Sequence, residues 1–187
     1  REKANSNICT SQVLLANMAG MFAVYHGPQG LKTIAGRIHR LTAIFAEGLK
    51  RAGVIVLTQQ FFDTLHIDLG ARTETVYPEA LAAGYNLRRV SAGVLGVSFD
   101  ETTTRHDVAA LFKLIAQTTL DVATIDAQVA AADPALPPEL FRSDLILGHP
   151  LFNTHHTEHE MLRYLKSLQN KDLALDHSMI SLGSCTM

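Results

Sequence analysis

The chain has 187 residues, 47% of them apolar and 18% charged, with a formal charge of -2 and no tryptophan. That is enough apolar material for one good core, and the charge gives no reason to expect nucleic acid or an anionic membrane as partner. Its two cysteines, Cys9 and Cys185, stand at opposite ends; this is no disulfide framework, so a reducing compartment is the default.

The chain opens with three charged residues and a polar stretch, Asn5-Ser6-Asn7-Ile8-Cys9-Thr10-Ser11. This start lacks the charged, apolar and small-residue order of a secretory signal. Next comes a helix that is apolar on almost every side: Val13, Leu14, Leu15, Ala16, Met18, Ala19, Met21 and Phe22. Such a helix is expected to be buried. Its polar start suits two readings. One is an ordinary capped core helix; the other is half of a phosphate or cofactor site, because the first four N–H groups of a helix lack partners and attract anions.

Tyr25-His26-Gly27-Pro28 reads as a turn, with Pro28 placed as the first residue of a second helix. In that helix Leu31, Ile34, Ala35, Ile38, Leu41, Phe45, Leu49 and Ala52 recur at three- and four-residue spacings. Lys50 and Arg51 suit its negative end, and Gly53 stops it. Val54–Leu57 reads as a short buried strand, and Thr64–Leu69 as a strand with one wet face. Pro78 is expected to start a short helix running to Gly84. Leu87–Val90 and Val94–Phe99 form a hairpin around Ser91-Ala92-Gly93. Thr104 and Asp107 make a capping box for a helix with Val108, Leu111, Phe112, Leu114 and Ile115 on one face. A further helix is expected over Asp121–Ala132. The order predicts an α+β domain, helices on a mostly antiparallel sheet, closing near Ala132.

Pro134, Pro137 and Pro138 then mark a linker. Leu140–Asn153 has no clear period. Thr157 and Glu160 form a second capping box, opening a helix with Met161, Leu162, Leu165 and Leu168 inward. The last residues are irregular and too apolar for a free tail. Because the chain begins with Arg1 and ends on Met187 after an unfinished-looking polar stretch, it is expected to be a piece of a longer polypeptide.

The chemistry legible in the residues is sparse. His149, His155, His156 and His159 lie among Glu158 and Glu160, but no HExxH spacing or cysteine pair supports a metal, and a solvated helix start is the simpler reading. No dinucleotide, P-loop or nucleophile-elbow pattern occurs. Cys9 near a helix start is either a thiol whose pKa the helix lowers or a small buried residue. Cys185, in Gly183-Ser184-Cys185-Thr186, echoes the stretch around Cys9. No lysine has the dry or charge-depressed surroundings that an imine-forming amine needs.

These two loops carry a resemblance. REKANSNICTSQVLLANMAGMFAVYHGPQGLKTIA, NLRRVSAGVLGVSFDE and HPLFNTHHTEHEMLRYLKSLQNKDLALDHSMISLGSCTM closely resemble the glycine decarboxylases, the P-proteins of the glycine cleavage system. These are pyridoxal-phosphate enzymes of fold type I, each with two homologous halves. The resemblance implies that residues 1–132 end the N-terminal half, mainly as its small C-terminal-type α+β domain. It implies that 133–148 link the halves and that 149–187 begin the catalytic half. It also implies the reaction: CO2 is released from glycine, and the aminomethyl group passes to the lipoyl group of H-protein, with the cofactor as electron sink. Ser6, Asn7, Cys9 and Thr10 would face pyridoxal phosphate from the helix start, with Ser184, Cys185 and Thr186 lining the same pocket. His177 and Ser178 are lesser candidates.

The family's cofactor lysine does not fall within the matched blocks, so no catalytic residue and no metal ligand is expected here, and the chain alone is expected to be inactive. A homodimer, glycine and H-protein are the implied partners, with no nucleic acid and no membrane. The compartment would be a bacterial cytoplasm, or a mitochondrial matrix if the source is eukaryotic. The competing reading is a free-standing α+β protein-interaction module, against which the apolar last residues argue.

Overall fold

The computed structural model describes residues 2–3, 10–119, 121–131, 136–174 and 176–179, without the side chains of residues 10, 130 and 131. It falls into two compact units, one of residues 33–143 and one of residues 1–32 with 144–187.

The first long element, α1 (Thr10–Arg51), is two helices joined at a break. Gly27 sits there at φ 60° and ψ -176°, outside the helical region, and Pro28 comes next with its fixed φ. The expected turn and second helix are both present. Gly53, at φ +75°, closes the helix after Lys50 and Arg51.

Within residues 33–143 the second part of α1 supplies Leu41, Ile44, Phe45 and Leu49 to one core. Four antiparallel strands face it: β1 (Ile55–Val56), β2 (Thr64–Asp68), β3 (Arg88–Arg89) and β4 (Val94–Ser98), in the order β1-β2-β4-β3. In β2 Leu65 and Ile67 are fully buried between half-buried Thr64, His66 and Asp68, the expected period of two. They lie opposite Val97 and Leu95 of β4, so one face of the central pair is wholly apolar. α3 (Arg105–Ala116) closes the core with Val108, Leu111, Phe112 and Ile115. Burying side chains of this size stabilises by roughly 1.5–3 kcal/mol each. The α+β architecture is therefore the one the sequence predicts.

Polar contacts fasten these elements. Arg37 donates to the carbonyls of Glu101 (2.6 Å) and Thr103 (2.7 Å), tying α1 to the loop before α3. Asp126, on α4 (Val122–Ala131), is buried between Arg40 of α1 and Arg105 of α3, each donating to one of its carboxylate oxygens.

Three expectations are corrected here. The strand around Val54–Leu57 is not buried throughout: Val54 and Val56 point inward, while Ile55 and Leu57 are exposed, because successive side chains of a strand face opposite sides and only one side meets the core. The helix assigned a start at Pro78 is α2 (Thr73–Ala82), which continues from a 3-10 turn (Gly70–Arg72) and carries Pro78 inside it. Its inward stripe, Thr73, Val76 and Ala80, begins one and a half turns before the proline.

The third correction concerns the other unit. The helix over residues 10–26 leaves Leu14, Leu15 and Met18 exposed instead of buried, and Val24 is its only fully buried side chain among the described residues. Likewise α5 (Glu158–Gln169) buries none of its residues; Leu162 and Leu165 are exposed and Met161 and Leu168 half-buried. An apolar stripe specifies a face that can be buried, and the described residues of 1–32 and 144–187 supply little to cover it.

Candidate functional site

The candidate site rests on two polar stretches, and most of both lies outside the described residues: Ser6, Asn7, Cys9, Ser184, Cys185 and Thr186, together with the side chain of Thr10. The described part is the element the first stretch leads into. Helix α1, described from Thr10, has no acidic residue in its first turn, as α4 has none, whereas α2, α3 and α5 each carry one or more there. A helix start without its own carboxylate keeps its positive end available to an anion.

The histidine-rich stretch is described in full, and it works through hydrogen bonds and stacking. Pro150–Asn153 form a 3-10 turn that His149 caps, its Nδ1 accepting the N–H of Leu151 at 3.1 Å. Asn153 donates back to the carbonyls of Leu147 (3.2 Å) and His149 (3.1 Å). His155 stacks on Tyr164 with ring centroids 4.5 Å apart. His156 Nδ1 meets the carbonyl of Tyr25 at 2.7 Å. Among the described residues no group of three or more His, Cys, Asp or Glu is arranged to hold a metal.

Glu160 completes the capping box of α5: its carboxylate accepts from the hydroxyl of Thr157 (3.0 Å) and from the N–H groups of Thr157 and His156 (3.2 Å each). These bonds, the Thr157 hydroxyl first, hold its carboxyl below the ordinary range. Beyond α5, His177 bridges Asp176 Oδ1 (3.1 Å) and the carbonyl of Asp172 (3.1 Å), and Asp176 also accepts from Lys166. The Lys166 hydrogen bond is the main cause lowering the Asp176 carboxyl. His177 thus fastens a turn, and Ser178 is half-buried beside it.

In residues 33–143 an open cleft of about 420 Å³ is lined by Tyr85, Arg88, Ser98, Asp100, Thr103 and Asp107, among others. Two of its polar groups are occupied by neighbours in the same lining: Asp100 accepts from Thr102 and Thr103, and Asp107 from Tyr85. Tyr85 donates to Asp107 Oδ1 at 3.3 Å, and Asp107 also caps α3 through Thr104. Burial first, then the Asp107 charge, pushes the Tyr85 hydroxyl up. All six lysines, Lys3, Lys32, Lys50, Lys113, Lys166 and Lys171, are described and exposed. None has, within this chain, the desolvated surroundings of an imine-forming amine.

No described helix is long and apolar enough to cross a membrane. What sequence reasoning missed is the junction of Tyr25, Gly27, Phe152 and His156. Gly27-Pro28 was visible as a turn, but nothing in the spacing says what packs into it.

Helices on a four-stranded antiparallel sheet make residues 33–143 a unit of the α+β class. A model of the glycine cleavage system P-protein family matches residues 1–115, more than half of the chain, and the chain belongs to that family. Similar proteins include the glycine dehydrogenase (decarboxylating) of Dechloromonas aromatica (strain RCB), 85% identical over the whole chain. Those of Chromobacterium violaceum and Shewanella amazonensis are 59% and 60% identical, again over the whole chain. The chain spans only 19–20% of the length of these relatives.

Proposed function

We propose that this chain serves as a segment of a glycine decarboxylase, the pyridoxal-phosphate P-protein that releases CO2 from glycine and passes the aminomethyl group to the lipoyl group of H-protein. The observation that carries this reading is the 85% identity to a glycine dehydrogenase (decarboxylating) along the entire chain. In this reading residues 1–132 end the N-terminal half, 133–148 link the halves, and 149–187 begin the catalytic half. The whole enzyme is a homodimer and works in the bacterial cytoplasm, as befits its bacterial relatives.

The segment's own contribution is binding and orientation. Ser6, Asn7, Cys9 and Thr10, leading into a helix without a first-turn carboxylate, offer N–H and hydroxyl donors to the cofactor phosphate. Ser184, Cys185 and Thr186 complete the same pocket. Bound pyridoxal phosphate supplies the electron sink, and its lysine comes from elsewhere in the polypeptide, since the six lysines here are exposed.

Two experiments test this. Pyridoxal phosphate titrated into the isolated chain is expected to give no absorbance band that borohydride fixes to protein; a stoichiometric band fixed on one lysine would overturn the assignment. Replacing the matched fifth of the Dechloromonas aromatica relative with this chain is expected to give an enzyme that exchanges the glycine carboxyl with bicarbonate. A folded but inactive chimaera would refute the reading.

A further inference from the structure

The break at Gly27 is more than a bend. Gly27 is buried, and its φ of 60° already disfavours any side chain. Independently, a Cβ placed there would stand 2.5 Å from the carbonyl oxygen of Phe152 and 2.7 Å from Cε1 of His156. The segment after the linker therefore seats its backbone and an imidazole in a notch that only glycine leaves open. Close by, His156 Nδ1 lies 2.7 Å from the Tyr25 carbonyl. A carbonyl only accepts, so Nδ1 carries the hydrogen and donates it. His156 is itself held by its neighbours: its backbone N–H donates to Glu160, the carboxylate that caps α5.

We propose that Gly27, the Tyr25 carbonyl and His156 form a positioning clasp that locks the 149–157 arm onto the end of the helix over residues 10–26. Tyr25 and His156 are 131 positions apart in the chain. On the reading given under Proposed function, on which this inference rests, the clasp joins the end of one half of the enzyme to the beginning of the other. In sequence, the polar stretch 6–10 precedes and opens the helix over residues 10–26, and 184–186 follows the 149–157 arm. The clasp gives both arms a common origin, and a shift of about 1 Å at such an origin can cost up to ~100-fold in rate.

The test uses the full-length chimaera with three substitutions. Gly27→Ala obstructs the notch, His156→Ala removes the donor, and His156→Asn keeps an N–H near the position of Nδ1. Gly27→Ala is expected to lower kcat/KM for glycine carboxyl exchange roughly tenfold or more, and His156→Ala roughly three- to tenfold, mainly in kcat. His156→Asn should stay within about twofold of the unsubstituted chimaera. Protease cleavage within 133–148 should accelerate in the first two variants and not in the third, with the thermal transition unchanged. Exchange and cleavage like the unsubstituted chimaera in both disrupting variants would overturn the clasp, as would His156→Asn behaving like His156→Ala. If Gly27→Ala does not fold, the two His156 variants decide, because that side chain is exposed. An inactive unsubstituted chimaera sinks the functional reading and the clasp's role with it. An active one with silent variants sinks the clasp alone.

Discussion

Helices α3 and α5 open with the same device. Thr104 and Asp107 cap α3, Thr157 and Glu160 cap α5, and in each the hydroxyl takes a backbone N–H while the carboxylate returns the bond. Both are twelve residues long with a basic residue in the last turn. Yet α3 buries four side chains in the core of residues 33–143, and α5, in the unit of 1–32 and 144–187, buries none. Among the described residues, twenty-two buried ones form the core of the first unit, whereas Val24 and Ala174 are the buried apolar residues of the second. Local sequence fixes where a helix starts; whether its apolar face is covered depends on what else the polypeptide brings.

The contrast can be broken most forcefully at Phe45, fully buried and edge-on to Phe99 with ring centroids 5.2 Å apart. Phe45→Ala is expected to destabilise residues 33–143 by about 3–5 kcal/mol in urea unfolding, whereas Leu14→Ala in the isolated chain changes the same transition by less than about 0.5 kcal/mol. A comparable loss for Leu14→Ala would mean that the exposed helix face contributes to the core after all.

Next in size is Asp126. Asp126→Ala strands Arg40 and Arg105 without their shared carboxylate, and because both arginines are half in water the expected loss is about 1–3 kcal/mol. Adding Arg40→Ala should then cost less than it does alone, the coupling a double-mutant cycle reads.

The matched capping boxes sharpen the comparison further. Thr104→Ala should cost about 1 kcal/mol of the cooperative transition. Thr157→Ala should lower helix content by circular dichroism and leave that transition in place, since α5 buries nothing.

Smallest is the response to acid. Hydrogen bonds from Thr102 and Thr103, Thr104, and Thr124 hold the carboxyls of Asp100, Asp107 and Asp121 below their ordinary value of 3.8. Folding therefore favours the charged forms. Their stabilisation is complete above pH 3.8 and is lost as the pH falls through the lower folded values. The urea midpoint of residues 33–143 should drop as the pH falls below 3.8, and more steeply than in an Asp107→Asn variant.

Much of this architecture is written in the chain. The alternation of Leu65 and Ile67, the two capping boxes, the Gly27-Pro28 break and the hairpin turn at Ser91-Ala92-Gly93 are local signals, and each stands where its residues imply. Pro78 misled because a proline can sit inside a short helix at the cost of one hydrogen bond, and the stronger signal was the stripe from Thr73 to Ala80. The burial of the helix over 10–26 could not be read from its composition, since an all-round apolar surface says nothing about what covers it. Of the site read from the sequence, the stretches at 6–9 and 184–186 lie outside the described residues; the seat of His156 at Gly27 depends on a contact between residues 131 positions apart, Tyr25 and His156, beyond the reach of any local pattern.

The sheet carries a consequence of a different kind. Both of its outer strands, β1 and β3, are only two residues long, and β3 consists of two exposed arginines. An open edge of that length offers another chain almost no ladder to extend, and the charge of Arg88 works against a second copy, Arg89 being paired with Glu74 at 3.1 Å. Fibrous growth through this sheet is thereby discouraged, even for a chain that leaves so many leucines in contact with water.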